Sequence, residues 1–357
     1  MSTAATLNTA KSEAFAQSLV EVMNHSGLAL MLSLGHRTGL FDVLARLERA
    51  SCPAIAEAAE LSERYVREWL GAMVTGGVVE FSAEDQTYHL PAEHAAWLTR
   101  AAVPNNMAAS MQWFAVLGGV EDLVCDAFRH GRGVPYSAYN RFHEVMAEES
   151  AQTVVAGLRD HILPLANGLM EQLETGIEVM DVGCGVGRAM NYLASHFPNS
   201  RFLGRDFSPE AIEQARRQAS AMGVTNVQFE AVDAAEMNDS ARFDLITAFD
   251  AIHDQVRPQR VLDHIHRALK PSGVLLMQDI AGSGHAHTDG RYPLATLGYA
   301  ISCMHCMSVS LAGGGPGLGA MWGKQKALEM LGKAGFANVR VESLGHDMLN
   351  YYYVCTP

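Results

Sequence analysis

Basic residues are scarce in this chain: 26 Lys and Arg stand against 39 Asp and Glu, leaving a formal net charge of −13 over 357 residues. Such a balance repels polyanions unless basic side chains gather locally, so nucleic acid is a disfavoured partner. Cysteine is sparse as well. The six thiols, at 52, 125, 184, 303, 306 and 355, are scattered rather than framed at short spacings, which favours free thiols over disulfides. No stretch offers the roughly 18 uncharged apolar residues that a membrane span needs, so no membrane partner is expected. The opening residues, MSTAATLNTAKSEAFAQSLV, lack a basic start and a continuous apolar block, so a secretory signal is not expected and the expected location is cytoplasmic. What the sequence does have is apolar content of 48% and a length beyond what one core usually organises, which points to an ordered chain of more than one domain.

Apolar residues recur at helical spacing over 11–49, with Gly39 separating two segments. A helix is predicted from Pro53 to Ala59 and another from Ser62 to Val74, with Ser62 as N-cap ahead of Tyr65, Val66, Trp69 and Leu70. Gly76 and Gly77 then break the helix, and VVEF at 78–81 and TYHL at 87–90 read as two strands around a polar turn. Helix, helix, hairpin is the winged-helix order. Residues 92–172 return to helical patterning, interrupted by Pro104, Gly118-Gly119 and the turn-rich GRGVPYSAYN. From Glu178 short apolar runs alternate with amphipathic segments, which implies βαβ units and a mostly parallel sheet with helices on both faces. The predicted organisation is a winged-helix-like domain over 1–98, a helical connector over 99–174 and an α/β, Rossmann-like catalytic domain over 175–357.

The densest motif is DVGCGVG at 181–187, between a predicted strand and a helix. Its glycines permit a tight turn and a close approach of ligand to backbone. A dinucleotide fingerprint needs a further glycine at 188, where Arg188 stands. The turn by itself is also compatible with a plain tight connection, and the acids at the later strand ends carry the weight. Asp206 ends the second strand about twenty residues on, placed to accept from ribose hydroxyls. Asp233 ends the third strand and Asp250 the fourth; His253 and Asp254 come next, and Asp279 ends the fifth. Taken singly, each aspartate also reads as an ordinary strand-end turn residue.

In this order, DVGCGVG and the run FDLITAFDAIHDQVRPQRVLDHIHRALKPSGVLLMQD resemble the class I S-adenosylmethionine-dependent methyltransferases. The layout is similar to that of the plant and natural-product small-molecule O-methyltransferases, whose catalytic domain, with a seven-stranded sheet, follows a winged-helix domain. The specific motifs lie within 178–280. The resemblance implies S-adenosylmethionine as cofactor, held by Asp181, Gly183, Cys184, Gly185, Gly187, Asp206, Phe207, Asp233, Ala234 and Asp250. Asp206 would take the ribose, Phe207 one adenine face, and Asp233 with Ala234 the adenine amino group. It also implies that His253 takes the proton from an acceptor hydroxyl and that Asp279 orients it. Gln255 stands where the family commonly has Trp after its His-Asp pair. A histidine near neutral pKa suits that base role; capping or lining the pocket remains the other reading of His253.

The segment between the fifth strand and the last helix is expected to shape the acceptor pocket through Tyr299, Met304, Met307 and Trp322, with His305 beside them; a buried packing helix is the other reading of these residues. From the connector, Tyr139, His143 and Glu144 are expected over the site, against their reading as an exposed helix face. Cys303 and Cys306 form one CxxC with His285, His287 and His305 near in sequence, which without a second pair gives no expected metal. Residues 1–100 hold seven Lys and Arg against twelve Asp and Glu, the wrong balance for phosphate contacts, so the front domain is expected to make a homodimer. Three activities stay open: methylation of a hydroxyl with His253 as base; methylation of nitrogen, sulfur or a metalloid without one; and a winged-helix transcription regulator that uses the second domain as a ligand sensor.

Overall fold

The computed structural model describes residues 7–357, so the first six residues of the opening segment lie outside the described residues. The chain divides into two compact units, residues 1–115 and 116–357. The stretch expected as a connector over 99–174 is therefore split between them. Its early helix Met107–Ser110 packs on helices of the first unit, whereas Phe142–Thr153 packs on a helix of the second.

In the first unit, helix α1 (Thr9–Thr38) starts at Asn8, whose side chain accepts from the Lys11 amide at 3.1 Å, and stops at Gly39, which takes φ 73°. The break predicted at Gly39 is thus a left-handed cap. Helix α2 (Leu40–Leu47) buries Leu40, Phe41, Val43 and Leu44 against α3 (Cys52–Ala58) and α4 (Glu63–Thr75). Trp69 on α4 meets Phe41 edge-on at 5.3 Å and donates its indole N–H to Met31 O at 2.8 Å. Ser62 sits at the N-cap of α4 but makes no side-chain cap. A three-stranded antiparallel sheet, β1 (Arg49–Ala50), β2 (Glu80–Ser82) and β3 (Thr87–His89) in the order β1-β3-β2, completes a winged helix. The hairpin falls where the sequence places it; β1, two residues long, carries no sequence signal.

The second unit is built on a seven-stranded sheet. Its strands are β4 (Glu178–Val182), β5 (Arg201–Asp206), β6 (Val227–Ala231), β7 (Phe243–Phe249), β8 (Leu269–Ile280), β9 (Asn338–Leu344) and β10 (Asp347–Thr356), in the order β6-β5-β4-β7-β8-β10-β9. The pairings from β6 to β8 are parallel, and β10 runs antiparallel to β8 and β9. Apolar residues of both sheet faces are sealed by helices, which is why β4 reads as an almost unbroken buried run. Strand order reverses between β4 and β7, and a crevice opens beyond the carboxyl ends of strands at such a switch point.

One helical run, Ala295–Ala312, is long and apolar enough by length and composition to cross a membrane, contrary to the sequence expectation. Its polar residues explain its actual place. Ser302, His305, Ser308 and Ser310 are buried; Ser308 Oγ accepts from Val134 N at 2.9 Å and Ser310 Oγ donates to Gln255 O at 2.8 Å. These bonds tie the partly buried helix to other segments of the second unit, with one π-helical turn at Ser302–Cys306.

Candidate active site

The glycine turn after β4 opens the site. Gly183 has φ 74°, and a side chain there would meet the Ala251 Cβ at 2.4 Å; Gly187 has φ 73° and lies against Phe229 and Ala215. Only glycine satisfies both the backbone conformation and the spacing. A Cβ on Gly185 would meet open space, and its amide donates to Asp206 Oδ2 at 2.9 Å while Ser208 N donates to Oδ1 at 2.9 Å. Asp206 is thereby fixed at the end of β5 with Phe207, 50% exposed, beside it. Asp181 is buried on β4 and accepts from Thr247 Oγ1 at 2.7 Å.

A cavity runs from this turn to the end of β7. It is lined by Asp181, Gly183, Cys184, Gly185, Asp206, Phe207, Asp250 and Asp254, and by Tyr136, Phe142, His143 and Met146 from the segment ahead of the sheet. Burial pushes Asp181 up to about 7 and Asp250 up to about 8, the latter helped by the neighbouring Asp279 carboxylate. Arg188 is the one lysine or arginine among its lining residues. With its acids ionised, the cavity suits a cation better than a phosphate.

Next to Asp250 lies a dyad. His253 Nδ1 is 2.8 Å from Asp279 Oδ1, and the two side chains are 4% and 0% exposed. Asp279 Oδ1 also accepts from Trp322 Nε1 and from Ile280 N, each at 2.9 Å. The Cys306 side chain neighbours the same imidazole. Burial works to lower the His253 pKa, but the Asp279 charge and the Cys306 contact outweigh it and hold the imidazole well above its usual value.

Several sequence-predicted residues sit elsewhere. Gly187 packs into the helix below the turn, and Asp233 and Ala234 do not line the cavity: Asp233 caps the turn Ala234–Glu236 and pairs with Arg257 at 2.8 Å. Of the expected acceptor-pocket residues only His143 lines the cavity. Tyr299 donates to Asp289 at 2.9 Å, Tyr139 donates to Met304 O at 2.5 Å, Met307 packs under Gly317 and Gly319, and Trp322 is spent on Asp279. The cause is common to all of them: the Ala295–Ala312 helix and the loop after it pack on themselves and on the dyad. His253 itself is absent from the cavity lining, while Asp254 reaches it and accepts from Tyr136. Glu144 pairs with Arg141 at 2.7 Å. Sequence reasoning misses Tyr136, Phe142 and Met146: Tyr136 lies in GRGVPYSAYN, which reads only as a turn and whose sole signal is a tyrosine directly after Pro135, and Phe142 and Met146 lie on the helix that follows, where they read as ordinary apolar positions.

Comparison with known proteins gives this geometry its class. Residues 173–335 match the family model described as a methyltransferase domain, and residues 26–100 match that of the Rv2258c-like winged HTH domain. The chain thus carries a methyltransferase domain behind a winged helix-turn-helix domain. Over 109 residues it is 34% identical to trans-aconitate 2-methyltransferase of Deinococcus radiodurans, an alignment covering 30% of this chain and 40% of that enzyme. The chain spans about 40% of the length of the first curated relatives it matches. The fold is similar to a candidate O-methyltransferase of Nostoc punctiforme (TM-score 0.72, 20% identity, covering 95% of this chain and 98% of that one). It is also similar to human N-acetylserotonin methyltransferase in complex with S-adenosylmethionine (TM-score 0.68, 17% identity, 99% of each chain). S-adenosylmethionine is the cofactor of this methyltransferase fold, and the acidic, glycine-floored cavity fits a molecule that carries a sulfonium and an ammonium group.

Proposed function

We propose that the protein transfers the methyl group of S-adenosylmethionine to a hydroxyl of a small organic acceptor, with His253 as the base. The observation that carries this reading is the buried His253–Asp279 dyad at 2.8 Å, close to Asp250 of the acidic cavity. When bound, the cofactor supplies an activated methyl group, whose C–S bond breaks as the O–C bond forms. This chain's residues do the rest. Asp181, Asp206 and Asp250 attract the cation, the glycine turn lets it approach the backbone, and Asp279 keeps the His253 proton on Nδ1, which leaves the other nitrogen as the one to take a proton. A cation in the cavity lowers the His253 pKa and frees that nitrogen, which then takes the hydroxyl proton. Alignment of the reacting atoms is worth about 7–11 kcal/mol and the base about 10²–10⁴-fold in rate.

The absence of His253 from the cavity lining favours a second reading, methylation of nitrogen, sulfur or a metalloid that needs no base. A single experiment separates them. An acceptor is found by screening metabolites for S-adenosylhomocysteine release, and His253→Ala is then assayed with it. A fall of about 10²-fold or more supports the base; an unchanged rate assigns the enzyme to the second reading.

The first unit serves, in this proposal, as a dimerisation domain of a cytoplasmic enzyme. Helix α1 presents Phe15, Leu19, Val22 and Met23 to solvent, a stripe that a second copy would cover. Arg64 and Arg67 of α4 are taken by Glu68 and Glu63 at 2.5 and 2.6 Å, which argues against a DNA-reading helix and so against the regulator.

A further inference from the structure

Three side chains of the second unit, Asp250, His253 and Asp279, each bring a ligand-type atom to within 4.8 Å of the others. An isolated acid pair would mean little, but these groups are unevenly satisfied. Asp279 concentrates three donors on Oδ1, whereas its buried Oδ2 has no partner. Asp250 accepts from Gln278 Nε2 on Oδ2 at 3.2 Å, and its buried Oδ1 has no partner. Gln278, 0% exposed and held against Asp250 by that bond, leaves its own Oε1 without a partner. Buried polar atoms of native proteins are rarely left so, and each asks for a proton, a water or an ion. Asp250 also holds a left-handed backbone, φ 51°, an arrangement that costs about 1–3 kcal/mol and persists where a site demands it.

We propose that Asp250, His253 and Asp279 form a binding site for a single divalent transition-metal ion of the Zn²⁺ type. The imidazole sets the class: Mg²⁺ and Ca²⁺ take oxygen ligands, whereas a mixed nitrogen and carboxylate set suits zinc and its neighbours. Ligands about 2.0–2.2 Å from zinc stand about 3.3–3.5 Å apart in a tetrahedron. The 2.8 Å dyad therefore opens by roughly half an ångström as the ion takes the place of the proton between His253 and Asp279. An ion here ties up the base, so the site inhibits hydroxyl methylation, and its existence does not depend on that activity.

The test uses the full-length protein and Co²⁺ alone, without acceptor. One Co²⁺ per chain is expected, read by its visible absorption bands, with affinity falling at least about 100-fold in Asp250→Asn and in His253→Gln, beyond the ~10–100-fold that outer-shell partners cost. Stoichiometry away from one, or variants that titrate like the parent, overturns the proposal. A variant-free measurement runs beside it: crystals soaked in Zn²⁺ should give one anomalous peak between Asp250, His253 and Asp279. A peak elsewhere, such as at the exposed His285 and His287, or none at all, overturns it too.

Discussion

Replacing Asp279 by Asn removes a charge while keeping nearly every atom. The carboxylate Oδ1 receives His253 Nδ1 at 2.8 Å and the Ile280 and Trp322 N–H groups at 2.9 Å. An Asn carbonyl still accepts all three, so the side chain stays in place. Two things change. The new amide nitrogen occupies the position of Oδ2, which has no partner, and strands a donor there at a cost of about 1–3 kcal/mol. The negative charge that stabilises the forming imidazolium is gone, which should slow turnover about 10²–10⁴-fold. Without that charge, burial governs His253 and its pKa drops, so the acid limb of the rate profile moves to lower pH. Steady-state release of S-adenosylhomocysteine across pH measures both effects, and calorimetry with the cofactor should return at least the parent affinity, because Asp250 ionises more readily without the Asp279 charge. A rate within about tenfold of the parent, or a loss of cofactor affinity in proportion to the rate, refutes the assignment of Asp279 as the orienting acid.

The same contacts set other expectations. Asp181 and Asp250 stand near 7 and 8, raised from 3.8, so the ligand-free fold holds protons that the unfolded chain releases. That stability is present in acid and is lost as pH rises through those values, whereas a cationic cofactor needs the carboxylates ionised. Calorimetry from about pH 6 to about pH 9 should therefore show affinity climbing while the ligand-free melting temperature falls; a flat affinity contradicts the acidic cradle. Gly183→Ala places a methyl 2.4 Å from Ala251 at φ 74° and should destabilise the second unit by about 1–3 kcal/mol, seen in thermal melts, with cofactor binding reduced. Light scattering should report twice the 38.6 kDa chain mass, reverting to one on Phe15→Glu; a parent protein already of single mass removes the dimer.

Much of this architecture is written in local pattern. The βαβ rhythm from Glu178, the Gly39 break and the aspartates closing β5, β7 and β8 arise from periodicity and glycine chemistry, and the structure brings Asp181, Asp206, Asp250 and Asp279 to one end of one sheet. The pocket walls were harder to read because their roles depend on partners far away in sequence. Trp322 looks like an apolar wall residue until its N–H is seen on Asp279, 43 positions earlier. Tyr136 sits in a turn whose composition announces only a turn, yet its hydroxyl reaches Asp254, 118 positions on. Asp233 is a strand-end acid like Asp206, but its carboxylate is drawn to Arg257 on the neighbouring loop. Nor does hydropathy alone tell a membrane helix from Ala295–Ala312, whose serines find their partners only in the folded chain.

The loop that precedes the last helix reaches back twice to the dyad: Gly319 N donates to His253 O at 3.1 Å, and Trp322 donates to Asp279. The support of the His253–Asp279 pair therefore comes from one stretch of chain. Exchanging residues 282–322 for those of a relative would replace both of these hydrogen-bond donors at once, and a chimera should hold the pair less firmly unless a tryptophan is kept at 322.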